Sequence, residues 1–391
     1  MQNFDFRSPT YFAFGRDTEH RAGELCRRFG AKKVLLHYGQ GSVIRSGLLD
    51  RVKQSLEAAG VDFVELGGVV PNPHLSLVYE GIEICRRESV DLILAVGAGS
   101  AIDSAKAIAV GAVNQEDIWQ LITERKEITK ALPVATVLTL PATGSEASSS
   151  TVITNTATKQ KYGFGSELLR PVFSIMNPEL TFTLPQYQTA CGIMDMMSHL
   201  FERYFTPSTG VDLTDRMIEA CLLSIIDNTK VVMQEPVNYD ARANLMWAGT
   251  LAHNNIVGVG RVQDWSSHAM EHELSALYDV AHGAGLAVVF PAFMRYTMDH
   301  DIERYAQLAS RVWQVEPQFK NLRQTALAGI EALEAFIRDE LKLPLSFAEL
   351  GAKAEDIPYL TERCRFGAQD KLGHFRPLSR ADVAEIYKLA L

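Results

Sequence analysis

Asp91-Leu-Ile-Leu-Ala-Val96 is an unbroken apolar run that passes at once into Gly97-Ala-Gly-Ser100 and then into a segment with apolar residues at Ile102, Ala105 and Ile108. An apolar run of strand length, closed by glycines and followed by helical spacing, reads as strand, tight turn and helix. The run is continuous rather than alternating, so the strand must be covered on both faces, as in a parallel sheet flanked by helices. Glycines at such a turn let a backbone approach a pyrophosphate, and the free amides that open the helix attract its charge. The spacing departs from the GxGxxG fingerprint, so the turn's place directly after the most apolar strand carries the weight.

The same pattern extends outward. Lys33-Val-Leu-Leu-His-Tyr38 is a second buried-strand run and ends in Gly39-Gln-Gly-Ser42. Leu48, Leu49, Val52 and Leu56 mark a helix that stops near Gly60, and Val61 to Leu66 reads as the next strand. Val78, Ile82 and Ile84 mark another helix, and Val134 to Leu140 another strand. Strands alternating with helices imply βαβ units, with ligands bound beyond the carboxyl ends of the strands. After Phe182-Thr-Leu-Pro185 the sequence reads as successive helices: Thr189 to Tyr204, Leu213 to Asn228, Tyr239 to Asn255, Trp265 to Leu277 and Ala281 to Met298. The expected organisation is an α/β dinucleotide-binding domain with a parallel sheet over residues 1–184 and an all-helical, metal-binding domain over residues 185–391.

Composition narrows the function classes. A chain of 391 residues that is 47% hydrophobic can bury a large core. A net charge of -9 supplies no broad basic surface for phosphates, which argues against nucleic acid as a partner. Five scattered cysteines (Cys26, Cys85, Cys191, Cys221, Cys364) form no CxxC pair, so neither a disulfide framework nor a cysteine metal site is indicated. No run of membrane-spanning length and no basic-then-apolar leader pattern is present. The expectation is a cytoplasmic protein with reduced thiols and no membrane partner.

A second constellation lies in the helical half. Gly192-Ile-Met-Asp195-Met-Met-Ser-His199 sets a carboxylate and an imidazole one helical turn apart on a single face. His268 lies in Trp265-Ser-Ser-His268-Ala-Met-Glu-His272-Glu, and His282 opens His282-Gly-Ala-Gly285. Three neutral imidazoles and one carboxylate suit one divalent cation, Fe2+ or Zn2+. Such a cation polarises a carbonyl oxygen and stabilises an alkoxide, which hydride transfer to a carbonyl requires. His272, four residues beyond His268, could be a fifth ligand, but it is read instead as a group behind the ligands or on the substrate side. Elsewhere, Thr139-Leu-Pro-Ala-Thr143-Gly-Ser-Glu146 closes another strand with hydroxyls and a glycine.

With both constellations in one chain, the sequence resembles the iron-containing (group III) alcohol dehydrogenase family, in its aldehyde-reductase and butanol-dehydrogenase branch. The resemblance runs from Phe12-Ala-Phe-Gly15 through Pro71-Asn-Pro73, Gly97 to Lys106, Thr139 to Glu146 and Asp195-x-x-x-His199, then through Tyr239 to Trp247 and His268-x-x-x-His272-Glu-Leu274 to His282. It implies metal ligation by Asp195, His199, His268 and His282. It implies cofactor contacts at Gly97, Gly99, Ser100, Asp103, Thr139, Thr143 and Lys161, with Asn72, Ser145 and Val152 in the same set. A departure is Ala98, where the family's turn has glycine. The fold implied is that of dehydroquinate synthase and the iron-containing alcohol dehydrogenases, and the assembly a homodimer. The activity implied is reversible hydride transfer between NAD(P)(H) and a small aldehyde or primary alcohol held at the metal, with His272 or His282 as proton relay. The turn at Gly39 to Ser42 carries no acid to repel a 2′-phosphate, so NADP(H) is expected over NAD(H). A polyol dehydrogenase, a dehydroquinate-synthase-type lyase and a non-catalytic metal- or nucleotide-binding protein are the rival readings. The lyase suffers from the scarcity of cations near the ligand helices, where Arg203 and Arg261 are the nearest.

Overall fold

The computed structural model describes every residue from Met1 to Leu391. In the first part of the chain, strands and helices alternate: β1 (Tyr11–Phe14), α1 (Ala22–Arg28), β2 (Lys33–Gly39), α2 (Ser42–Arg45), α3 (Leu48–Ala58), β3 (Asp62–Val69) and α4 (Leu75–Glu88). They continue with β4 (Leu92–Gly97), α5 (Gly99–Val113), α6 (Ile118–Thr123), β5 (Val134–Leu138), β6 (Ser150–Asn155), β7 (Gln160–Gly165) and β8 (Phe173–Met176). Beyond β8 only helices follow as long elements. They are α7 (Gln186–Tyr204), α8 (Asp212–Gln234), α9 (Tyr239–His253), α10 (Ser266–Tyr278), α11 (His282–Thr297), α12 (Ile302–Arg311) and α13 (Leu322–Ala335). The short α14 (Phe347–Leu350) and α15 (Ile357–Arg363) precede the terminal α16 (Arg380–Leu389). No helix is long and apolar enough to cross a membrane.

Six strands form one parallel sheet in the order β1-β8-β5-β4-β2-β3. The apolar run before the Gly97 turn is the strand β4, buried at every position between β2 and β5. Its residues divide by parity, as a pleated strand requires. Leu92, Leu94 and Val96 enter one core layer with Val34 and Leu36, while Ile93 and Ala95 enter the other with Leu35, Ile102 and Ile108. Leu35, Leu36, Leu92 and Leu94 have no exposure at all. Burying each leucine is worth roughly 1.5–3 kcal/mol, which explains why the runs are continuous rather than alternating.

From β2 the chain moves outward to β3, and from β4 it moves outward in the opposite direction to β5. A crevice opens where strand order reverses in this way, and it is the usual ligand position in such sheets. The glycine-containing turns after β2 and β4 both fall there.

The chain packs as two compact units. One comprises Arg7–Leu184 with Val237–Asn254; the other comprises Met1–Phe6, Pro185–Pro236 and Asn255–Leu391. The helix α9 therefore belongs with the sheet although it lies in the helical half of the sequence. Trp247 meets Phe12 edge to face with ring centroids 5.2 Å apart, Thr250 donates to the Glu146 carboxylate at 2.5 Å, and Met246 joins the sheet core. Apolar spacing reports a helix but not which neighbour its apolar face meets.

Candidate functional site

In the helical unit, α7 carries Asp195 and His199 on one face, with Asp195 Oδ1 3.5 Å from His199 Nε2. The same oxygen lies 3.8 Å from His268 Nε2 on α10 and 3.7 Å from His282 Nε2 at the start of α11. Three imidazole nitrogens from three helices thus converge on one carboxylate oxygen. The ligand atoms of Asp195, His268 and His282 all lie within 4.8 Å of one another, and the His199 ring stacks on that of His268 at 4.9 Å between centroids. These separations are too long for hydrogen bonds. They match groups around one first-row cation, whose bonds of about 2.0–2.2 Å put ligand atoms roughly 3–4 Å apart.

The donor set fits a cation in a second respect. Asp195 Oδ1 and His268 Nε2 are buried with no hydrogen-bond partner. Buried polar atoms are normally satisfied, and two such atoms facing each other fit ligands of a bound cation. Burial works against a charged His268, yet its contacts with Asp195 and Glu202 outweigh that and push its pKa up to about 9. The local field therefore favours positive charge.

Close helix approach makes the convergence possible. A Cβ on Gly283 would meet the Cys191 carbonyl oxygen of α7 at 2.0 Å, so only glycine lets the start of α11 sit against α7.

Two buried carboxylates, neither of them singled out by its sequence context, stand behind the imidazoles. Glu202 faces His268 Nδ1 at 3.0 Å, and Glu271 contacts His282 Nδ1. Each lies three positions after a ligand candidate (His199 and His268 respectively), on the same helix face, and that spacing was the available signal. With Nδ1 on Glu271 and Nε2 towards Asp195, His282 has both nitrogens engaged. A carboxylate thus stands near each of its ring nitrogens. His272 is half-buried, with its ring centroid 5.6 Å from that of His282.

The nucleotide candidates gather in the α/β unit. Gly97 ends β4, and Gly99 and Ser100 open the fifteen-residue α5. Thr139 follows β5 and donates its amide to the Gly97 carbonyl at 3.0 Å. Thr143 packs on Gly99 so closely that a Cβ there would meet the threonine hydroxyl at 2.4 Å. Gly39 and Ser42 lie at the neighbouring end of β2, and Asn72, with a left-handed φ of 54°, lies after β3. Val152 and Lys161 sit on the β6–β7 hairpin, where Lys161 pairs in register with Thr154. Thr154 in turn donates its amide to the Pro73 carbonyl at 2.8 Å, which brings the Asn72 loop beside Lys161.

Asp103, expected as a cofactor contact, has a protein partner on each carboxylate oxygen. It accepts the Ser145 hydroxyl at 2.6 Å and the Val152 amide at 3.0 Å, one on each oxygen. The carboxylate is buried and organises the surrounding loops. Lys106, also without exposure, donates to the carbonyls of Ser148 at 2.9 Å and Ser150 at 2.8 Å. Burial draws its pKa down to about 8 against the opposing charges of Asp103 and Glu146.

A parallel sheet with glycine turns at its switch point, in one chain with a carboxylate and three imidazoles around one point, is the equipment of a metal-assisted dehydrogenase. The model of iron-containing alcohol dehydrogenases matches residues 9–178, and that of the C-terminal part of the same family matches residues 189–391. The chain is 42% identical over 391 residues, 100% of both chains, to probable NADH-dependent butanol dehydrogenase 1 of Bacillus subtilis. It is 36% identical over 393 residues, again 100% of both, to the NADPH-dependent aldehyde reductase YqhD of Escherichia coli. The crystal structure of NADH-dependent butanol dehydrogenase A from Thermotoga maritima superposes with a TM-score of 0.96 at 41% identity, covering 100% of this chain and 99% of that one. The chain belongs to the iron-containing alcohol dehydrogenase family. It is an oxidoreductase that works with a nicotinamide cofactor and an iron-type metal ion on small alcohols or aldehydes. The lyase and the non-catalytic scaffold lose their ground with that assignment.

Proposed function

We propose that this chain interconverts small aldehydes and primary alcohols, with Asp195, His199, His268 and His282 holding a single divalent cation and NADPH as the preferred reductant. The observation that carries the reading is the placement of three imidazole Nε2 atoms within 3.5–3.8 Å of Asp195 Oδ1. When bound, the cation supplies a Lewis acid for the carbonyl oxygen and the nicotinamide supplies the hydride. The protein's residues supply position. The turn Gly97 to Ser100 and the first amides of α5 receive the pyrophosphate, Thr139 and Thr143 offer hydroxyls beside that turn, and Asp103 keeps the Ser145 and Val152 segments in place. His272, near His282 but outside the Asp195 group, is the residue that relays the proton to the product oxygen.

The named relatives divide between NADH and NADPH, so the preference is argued from this chain alone. The turn Gly39-Gln-Gly-Ser42 has no acid, and the Arg45 guanidinium lies beside Gly41, within 2.5 Å of where a Cβ would stand. Arginine recognises a phosphate by charge-assisted hydrogen bonds. Iron and zinc both accept the ligand set. A cytoplasmic homodimer completes the reading: the five cysteines are all free, which suits a reducing compartment, and light scattering tests the assembly.

The deciding experiment is metal analysis of the purified protein together with an aldehyde panel assayed with both cofactors. His268→Ala is expected to lose both metal and turnover. Full turnover in metal-free protein overturns the reading.

A further inference from the structure

We infer that Glu202 and Glu271 are positioning residues that fix the tautomer and aim of His268 and His282, and so set how tightly the centre holds its cation. The inference deepens the proposed function and rests on its reading of Asp195, His268 and His282 as ligands.

Glu202 ends the ligand-bearing face of α7 and has no exposure. One of its oxygens accepts the backbone amide of His268 at 3.0 Å and faces the Nδ1 of the same residue at 3.0 Å; the other accepts the backbone amide of Trp265 at 2.8 Å. Trp265 is the N-cap of α10 and His268 lies in its first turn, where the amides have no partner within their own helix. The carboxylate therefore caps α10 from another helix while holding the imidazole that the helix presents. Trp265 stands at φ 69°, a left-handed conformation unfavourable for a bulky residue, and the Glu202 bond holds its amide there.

Glu271 repeats the arrangement from a different element. It too has no exposure, contacts His282 Nδ1 with one oxygen and accepts the Ser275 hydroxyl with the other. Gly285 makes room for it, since a Cβ there would stand 2.6 Å from Glu271 Oε1.

The chemistry of the pairing dictates the outcome. An ionised carboxylate only accepts hydrogen bonds, so the Nδ1 it faces must carry the proton. The neutral ring then has its lone pair on Nε2, and in both histidines that nitrogen is the one near Asp195 Oδ1. Two structural ion pairs formed independently would have no reason to choose the same ring nitrogen and aim the other at one common atom. With Asp195, the two glutamates also place three carboxylates in one buried region. Such charge is unfavourable without compensation; the buried Arg203 guanidinium offsets part of it near Glu202, and a divalent cation supplies more.

The test uses the full-length protein stripped of metal and titrated with Co2+ against a competing chelator, with the Co2+ d–d absorption recorded. Glu202→Gln and Glu271→Gln are each expected to bind Co2+ about 10–100-fold more weakly and to change the d–d bands, because a neutral amide orients and polarises the ring less. Glu271→Asp should recover part of the loss. Should Glu202→Gln fail to fold, Glu271→Gln and its aspartate partner decide alone. Glutamine variants that bind Co2+ within twofold of wild type, with unchanged bands, overturn the inference. His268→Ala separates the two levels. If it also binds Co2+ normally, the ligand reading itself fails; if it loses Co2+ while the glutamine variants keep it, only the positioning role fails.

Discussion

Asp103 joins two loops that the sequence separates from it by more than forty positions, taking the Ser145 hydroxyl at 2.6 Å on one oxygen and the Val152 amide at 3.0 Å on the other. Because α5 begins at the glycine turn, this bond pair ties the candidate phosphate-binding helix to the segment bearing Thr143 and to the Lys161 hairpin. Asparagine in its place keeps only one acceptor, so the Val152 amide and the Ser145 hydroxyl can no longer both donate to it, and the charge that strengthened both bonds is gone. The weakened pair costs roughly 1–3 kcal/mol, which here falls on loop order. Asp103→Asn should raise the dissociation constant for NADPH about tenfold while metal content stays at the wild-type level. Fluorescence titration of the cofactor and metal analysis of the same sample check both halves; an unchanged affinity refutes the linking role.

Gly283 offers a test of the helical unit by itself. A methyl group there would overlap the Cys191 backbone rather than a yielding side chain, so α11 would have to move away from α7. Overpacking of this kind typically costs about 1–3 kcal/mol. The adjacent His282 would move with it, away from Asp195. Gly283→Ala is expected to lower the melting temperature and to weaken metal retention together, as read by calorimetry and by metal analysis after dialysis. A variant with wild-type metal content would show that the approach of α11 does not govern the site.

Much of this architecture is legible in the sequence, and the reasons for the exceptions are physical. The apolar runs of β2 and β4 announce themselves because both faces are buried, and Asp195 with His199 is visible because helical geometry makes four-residue spacing meaningful. The β6–β7 hairpin is not, since Ser150-Thr-Val-Ile-Thr-Asn155 and Gln160-Lys-Tyr-Gly-Phe-Gly165 lie outside the main sheet and carry no continuous apolar run. The four-residue strands β1 and β8 are too short for a period to show. Glu202 and Glu271 escape for another reason. A glutamate among helical residues ordinarily faces water, and only the convergence of three helices reveals that these two are buried against histidines.

His37 makes the stability of the α/β unit depend on pH. Its ring is fully buried in β2, with Nδ1 2.8 Å from the Leu66 carbonyl and Nε2 2.8 Å from the Ser104 hydroxyl. Burial lowers its pKa from 6.5 to about 4, against the smaller effect of the Leu66 bond. The native state therefore resists a proton that the unfolded chain accepts. The stability tied to the neutral ring is complete above pH 6.5 and is lost as pH falls from there through 4. Each tenfold difference in proton affinity between the two states is worth about 1.36 kcal/mol, so the loss approaches roughly 3 kcal/mol. Urea unfolding at steps between pH 7 and 4 should show this slope in wild type and a shallower one in His37→Gln. Equal slopes would remove His37 from the account.

Arg45 carries the test of cofactor choice. Its guanidinium stands beside Gly41 in a turn without an acid, so a 2′-phosphate placed there meets one fixed positive charge, whereas a ribose hydroxyl does not need it. A hydrogen bond to a charged group is worth about 1.5–3 kcal/mol, and an exposed arginine such as this one belongs at the lower end because water screens it. Arg45→Ala should lower kcat/KM for NADPH by roughly tenfold, since each 1.36 kcal/mol is a factor of ten, and leave that for NADH within twofold. Arg45→Glu should go further, because it adds the repulsion that the native turn lacks. Steady-state kinetics with both cofactors and one aldehyde distinguish the outcomes. An equal fall for NADPH and NADH would mean that Arg45 shapes the turn without reading the phosphate, and a wild-type preference for NADH would mean that the missing acid is not what sets the choice.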